Sequence, residues 1–288
     1  MSTDHVSYPT GLRTTPTRHR ALRRRMAAPG LVMAPGCYDC ITARLVEVSG
    51  FGAAYVTGSG VSMSALGAPD MGALSFGEIL DRVRRICDAV SIPIIADADT
   101  GYGGPLNVIR TMREFEKAGV SAVQLEDQEW PKKCGHEPGR KVASTHEMVQ
   151  RIKAAADARV DADVMIVART DAIAIEGYEA AMERAERYRE AGADILFVEA
   201  PQSEAQLGEV PKRLKVPCLA NMVEGGKTPI LPAAKLEQLG FKVAIYPNSL
   251  TRLFARAGQD LLASMKATGG TAGFADRMLA TMLRRCSA

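Results

Sequence analysis

Apolar residues along this chain occur in two alternating forms, short unbroken runs and longer stretches spaced as on one face of a helix. The runs are LVMAPG (31–36), AAYVTG (53–58), PIIADAD (93–99), AVQLED (122–127), MIVARTD (165–171), ILFVEA (195–200), PCLANM (217–222) and VAIYPN (243–248). Four of them follow a residue pair ending in glycine: Ser49-Gly50, Ala118-Gly119, Ala191-Gly192 and Leu239-Gly240. Glycine there fits a helix C-cap, where a left-handed backbone costs it little. Runs apolar at consecutive positions predict strands covered on both faces, as in a parallel sheet. Eight β-then-α units in about 250 residues predict an α/β fold, a closed (β/α)8 TIM barrel. An open dinucleotide-binding sheet lacks support, because no GxGxxG follows the first strand.

The chain has 288 residues, 47% hydrophobic and 24% charged, enough for one large core. Residues 1–25 read as an N-terminal arm, with a basic cluster from Arg18 to Arg25, and residues 26–288 as one barrel domain with C-terminal helices. The helical patterns at 250–268 and 272–284 exceed what barrel closure needs and fit an extension packed on a neighbouring subunit. A net charge of +3 with scattered basic residues points to neither nucleic acid nor a membrane as partner. No run of about 18 apolar residues predicts a membrane span. Six cysteines are spread along the chain, and the Cys37/Cys40 pair has no second CxxC to complete a zinc site. Reduced thiols in a cytoplasmic protein are expected.

Polar residues fall where a barrel keeps its chemistry, at the C-terminal ends of the strands. In order these are Thr57-Gly58-Ser59, Asp97 and Asp99, Glu126 and Asp127, Arg169 and Asp171, Glu199, Asn221 and Asn248. Two residues apart on a strand, Asp97 and Asp99 would project the same way, and unpaired charges that close are costly. A structural ion pair would relieve this, and so would a divalent cation. Oxygen-only ligands favour Mg²⁺, with Mn²⁺ as the alternative. Glu126 can complete the acidic wall directly or through water. Arg169, costly if unpaired, suits either a salt bridge to Asp171 or Glu199 or a bidentate clamp on a substrate carboxylate. Residues 128–144 form a polar loop suited to a lid, and carry Cys134 between Lys132, Lys133 and His136. Positive neighbours lower a thiol pKa, so Cys134 could hand a proton to a carbanion; an incidental loop thiol is the competing reading.

The motifs PGCYD (35–39), TGSGVS (57–62), GAPDMG (67–72), DADTGYGG (97–104), LEDQ (125–128), KKCGH (132–136), ARTDA (168–172), EAP (199–201) and NMVEGGKTP (221–229) together resemble the isocitrate lyase/phosphoenolpyruvate mutase superfamily over residues 30–275. That resemblance implies a barrel whose eighth helix swaps between neighbours in a homo-oligomer, usually a dimer of dimers. It also implies Mg²⁺ and a small carboxylic acid passing through a 2-oxo or enolate form. By motif position, Asp97 and Asp99 are the implied metal carboxylates, supported by Glu126 and Asp70 through bound water. Thr57, Gly58 and Ser59 are implied to hold the 2-oxoacid carboxylate, and Arg169 to clamp substrate. Glu199 and Asn221 are implied to line the pocket, with Cys134 as proton donor and His136 beside it. Tyr55 and Gly135 complete the substrate-binding candidates.

Cys134-Gly135-His136 resembles the carbon–carbon lyases that cleave 2-methylisocitrate or dimethylmalate. Carboxyphosphonoenolpyruvate mutases share the NMVEGGKTP stretch, and oxaloacetate hydrolases share KKCGH. Asn248 departs from the small or apolar residue expected there. Arg252, one helical turn on, could meet an extra carboxylate or serve as a surface arginine.

Overall fold

The computed structural model describes residues 6–7, 15–133, 139–279 and 283–284. Eight parallel strands form one sheet: β1 (Val32–Cys37), β2 (Ala54–Val56), β3 (Ile94–Asp97), β4 (Ala122–Glu126), β5 (Met165–Thr170), β6 (Ile195–Val198), β7 (Leu219–Asn221) and β8 (Val243–Tyr246). Their order is β6-β5-β4-β3-β2-β1-β8-β7. A lone parallel bridge between Leu196 and Cys218 brings β6 against β7, so the barrel is nearly closed. All eight apolar runs are strands. Being short and buried on both faces, they read as unbroken runs instead of alternating ones.

Two cores share these strands. Alternate residues such as Val32, Tyr55, Ile95, Val167, Phe197 and Ile245 fill the barrel interior. The other strand faces, with Val56, Ile94, Val123 and Leu196, pack on the surrounding helices. Interior packing includes two side chains from outside the strands, Leu22 and Met26 of the helix Thr15–Ala27. The stretch read as an arm is therefore, from Thr15 on, a helix seated against the barrel. Arginines dominate its composition, but Leu22 and Met26, one turn apart, share a face and close the N-terminal end of the barrel.

At the other end the last helix, Ser249–Thr268, buries none of its residues in its own chain and exposes Leu253, Phe254 and Leu262. The second C-terminal helical pattern is not borne out: its described residues give a 3₁₀ segment, Ala272–Arg277, next to Gly269, Gly270 and Gly273, which penalise a regular helix, and a two-residue strand, Leu283–Arg284, parallel to Val6–Ser7. Among the described residues, no helix is long and apolar enough to cross a membrane.

One close approach sets the rim of the barrel. A β-carbon added to Gly36 in β1 would collide with the Pro247 backbone. Only glycine lets the chain leaving β8 lie on β1 here, and this fixes the position of Pro247 and Asn248. Gly36→Ala is expected to cost about 1–3 kcal/mol by overpacking, read as a lower midpoint in urea at unchanged m-value. An unchanged midpoint would show that the loop yields freely.

Candidate active site

The acidic pair converges by a different route from the one its spacing suggests. Asp97 ends β3, whereas Asp99 lies beyond the strand with φ +49°, in the left-handed region that aspartate tolerates better than most residues. Strand alternation therefore does not align them; a turn does. A β-carbon built on Gly58 would lie 3.0 Å from Asp97 Oδ2 and 3.4 Å from Asp99 Oδ1, so both carboxylates meet over a glycine that leaves them room. Asp97 Oδ1 accepts hydrogen bonds from the Asp99 amide at 3.1 Å and from Gln124 Nε2 at 3.2 Å. Gln124 is itself oriented by the Tyr55 hydroxyl, which donates to its Oε1 at 3.1 Å. Burial pushes the Tyr55 phenol well above its usual range, so it stays a donor. Tyr55, expected to bind substrate, lines the pocket and also positions Asp97 through Gln124. Gln124 was not among the candidates. Its signal was a polar residue two positions before Glu126 in an apolar run, hence on the same inward face.

Lys132 was expected only to polarise a neighbouring thiol. It is 2% exposed, with Nζ 2.5 Å from Asp70 Oδ1 and 2.6 Å from Asp99 Oδ1. Burial opposes its charge, but the carboxylates of Asp99, Glu126, Asp70 and Asp97 outweigh burial and hold the ammonium well above the ordinary lysine range. Burial also raises Asp99, to about 6, with Lys132 pulling the other way. Glu126 is raised well above the usual carboxylate range by burial, against the pull of Arg169.

These residues fit an oxygen-coordinated divalent cation at the Asp97/Asp99 pair. Besides that pair, Glu126 Oε1 is buried with no hydrogen-bond partner among the described residues. Glu126 and Asp70, expected to support the ion through bound water, do not join that pair in one cluster. Among the described residues no three His, Cys, Asp or Glu side chains are grouped for one ion. Asp70 is reached through the Lys132 ammonium, and Glu126 Oε2 turns to Arg169 Nη1 at 3.3 Å.

Arg169 is held, not free. Its Nη2 donates to Asp171 Oδ1 at 2.9 Å, its Nε lies 2.9 Å from Asp171 Oδ2, and its guanidinium sits over the Phe197 ring at 5.2 Å. Asp171 is buried, and Arg140, from the far arm of the 128–144 loop, donates to the same Oδ1 at 2.5 Å. Behind them Asp127 Oδ1 accepts the Asp171 amide at 2.9 Å, and its Oδ2 accepts the Tyr188 hydroxyl at 2.8 Å. Burial raises Asp127 to about 6, and Asp171 adds to the rise. Thus the salt bridge foreseen for Arg169 exists, and it aims the guanidinium at the pocket it lines.

Thr57 caps the helix Gly58–Leu66, its side chain accepting from the Gly60 amide at 3.3 Å. Its hydroxyl is thereby engaged locally, and the start of the helix faces the pocket through Thr57 and Ser59, a setting that attracts anions. Across the pocket, Asn221 Nδ2 donates to the Glu199 carboxylate at 3.1 and 3.4 Å. Asn248 lines that wall as well. Arg252 does not: it is exposed and donates to the Glu224 carbonyl, because the helix turns it away from the barrel mouth.

Cys134, Gly135 and His136 lie outside the described residues. The loop carrying them is zipped at its stem by a Gln128–Val142 bridge, and the Gln128 side chain brackets Lys133, accepting from its amide at 3.0 Å and donating to its carbonyl at 2.9 Å. Of the other thiols, Cys37, Cys87 and Cys218 are buried and free, and burial pushes Cys87 and Cys218 up to about 12 and Cys37 higher still. Alkylation of the folded protein near neutral pH should therefore spare these three. Peptide mapping that found any of them modified before unfolding would contradict this burial.

The family model for phosphoenolpyruvate phosphomutase matches residues 22–266. The chain is 47% identical to a 2,3-dimethylmalate lyase from Eubacterium barkeri over 258 residues, covering 90% of this chain and 89% of that one. It is 43% identical to a 2-methylisocitrate lyase from Bacillus subtilis over 247 residues, 86% of this chain and 81% of the relative. Among solved structures, a 2,3-dimethylmalate lyase described as a PEP mutase/isocitrate lyase superfamily member superposes with a TM-score of 0.86 at 36% identity, covering 91% of this chain and 88% of that one. A phosphonopyruvate hydrolase in complex with oxalate and Mg++ gives a TM-score of 0.82 at 30% identity, covering 91% of each chain.

Proposed function

Since this chain belongs to the PEP mutase/isocitrate lyase superfamily, we propose that it is a magnesium-dependent lyase that cleaves a carbon–carbon bond in a 2-hydroxy di- or tricarboxylate. The products are a 2-oxoacid and a second carboxylate. The observation that carries the reading is the meeting of Asp97 and Asp99 over Gly58, in one pocket with the aimed Arg169.

Asp97 and Asp99 would hold Mg²⁺, with Glu126 and Asp70 supporting. When bound it supplies a Lewis acid for the 2-oxygen and neutralises charge beside it. The remaining work falls to the chain. Substrate carboxylate rests at the start of the helix Gly58–Leu66 and against Arg169. Loss of the 2-hydroxyl proton to a base lets the C2–C3 bond break, its electron pair passing into the departing carboxylate. Cys134 then returns a proton to that carbon, and Glu199 with Asn221 bounds the space in which it moves. The exposed apolar side of the last helix supports a homo-oligomer in which that helix covers a neighbouring copy.

A panel of 2,3-dimethylmalate, 2-methylisocitrate, oxaloacetate and phosphonopyruvate, each with Mg²⁺ and with chelator, tests this. Chromatography should show Mg²⁺-dependent 2-oxoacid release from one of the first two. Turnover of phosphonopyruvate or oxaloacetate alone would replace the lyase reading with a mutase, hydrolase or decarboxylase one.

A further inference from the structure

The pocket that Arg169 lines is lined also by two asparagines whose amide oxygens have no hydrogen-bond partner among the described residues. Asn221 has its amino group committed to Glu199, so its Oδ1 is the atom left over; it is buried and without a hydrogen-bond partner among the described residues. Asn248 is 8% exposed and its Oδ1 is in the same condition. The two share one wall: β7 and β8 are neighbours, and Ile245, the register partner of Asn221, stands three positions before Asn248.

Asn248 also forgoes its customary work. It occupies the N-cap of the last helix, where an asparagine side chain ordinarily accepts a bond from the first turn, yet it makes no such bond. Its place is not accidental, because Gly36 admits Pro247 against β1 and so fixes the residue that follows. An acceptor buried without a donor is unfavourable, and two in one pocket wall call for a donor from the ligand.

We propose that Asn248, together with Asn221, forms a subsite for a hydroxyl group on the second arm of the substrate, the part that departs as carbanion. This rests on the lyase reading and narrows it to a 2-hydroxy dicarboxylate with a hydroxylated C3 substituent. A hydroxyl donates to Asn221 Oδ1 and can accept from the NH₂ of Asn248, since the amino group of Asn221 is committed to Glu199. A methyl or ethyl arm leaves both oxygens unpaired. A further carboxylate has no proton to give and meets the acceptor oxygens of Glu199 and Asn221, while Arg252 is turned away.

Calorimetric binding of 3-(hydroxymethyl)malate and 3-ethylmalate, with Mg²⁺, to the full chain and to Asn248→Leu tests the subsite. These ligands differ by one hydroxyl in place of a methyl. The unaltered protein should bind the hydroxymethyl compound roughly tenfold tighter or more, and Asn248→Leu should abolish or reverse that ratio. Asn248→Ala provides the same comparison should the leucine variant not fold. An unaltered protein indifferent to the hydroxyl, or a ratio that survives both substitutions, overturns the subsite, and so does failure of both malates to bind. Cleavage of both malates at equal rates would sink the subsite and leave the lyase standing. The expected ratio in the unaltered protein, lost in Asn248→Leu, without cleavage of either compound would do the opposite.

Discussion

Cys134→Ser is expected to lower turnover at least about a hundredfold while substrate still binds, because a positioned proton donor contributes on the order of 10²–10⁴ to a rate. A serine hydroxyl is far too weak an acid to protonate a carbanion promptly, whereas a thiol with Lys133 and His136 close in sequence is suited to it. Lys133 lines the pocket and is bracketed by Gln128, so the residue just before Cys134 is already delivered to the site. Single-turnover kinetics alongside a calorimetric affinity separate the two quantities. Turnover within a factor of two of the parent would remove the thiol from the mechanism.

The second large effect is expected at Asp171. Asp171→Asn keeps the shape of the side chain but strips the charge shared by Arg169 and Arg140, taking one anionic partner from each of two buried guanidinium groups. Removing one partner from a buried ion pair costs about 3–5 kcal/mol. Denaturant unfolding should register that loss. Activity should fall with it, since Arg169 is aimed by the same carboxylate and the 128–144 loop is tied down through Arg140. A variant of native stability with native kcat/KM would show that Glu126 alone suffices to position Arg169.

Every barrel strand was legible in advance because runs such as MIVART and ILFV are buried on both sides and carry no alternation to confuse, whereas the two-residue strands Val6–Ser7 and Leu283–Arg284 were not. The candidate residues at strand ends, several of which line one pocket, stood out because polar groups there have few structural uses. What escaped was set by contacts between distant segments. Leu22 and Met26 were masked by surrounding arginines, and only the barrel's open end explains them. Lys132 looked like a solvated loop lysine until Asp70 and Asp99 enclosed it. The left-handed turn at Asp99 could not be read from DADTG, where strand alternation gives the same convergence by another path. Arg252 sits one turn after Asn248 in sequence, but helical rotation carries it outside the pocket.

The lone Leu196–Cys218 bridge has a mechanical consequence. Seven of the eight joints around the barrel are ladders, and the joint between β6 and β7 is a single stitch. Glu199 stands just past the end of β6 and Asn221 is the last residue of β7, and the bond between their side chains spans the gap like a clasp at the top of an open seam. Breathing of the barrel should begin there, so amides flanking the seam should exchange with deuterium ahead of those in β4 and β5. Whatever grips that clasp from the pocket side also fastens the barrel.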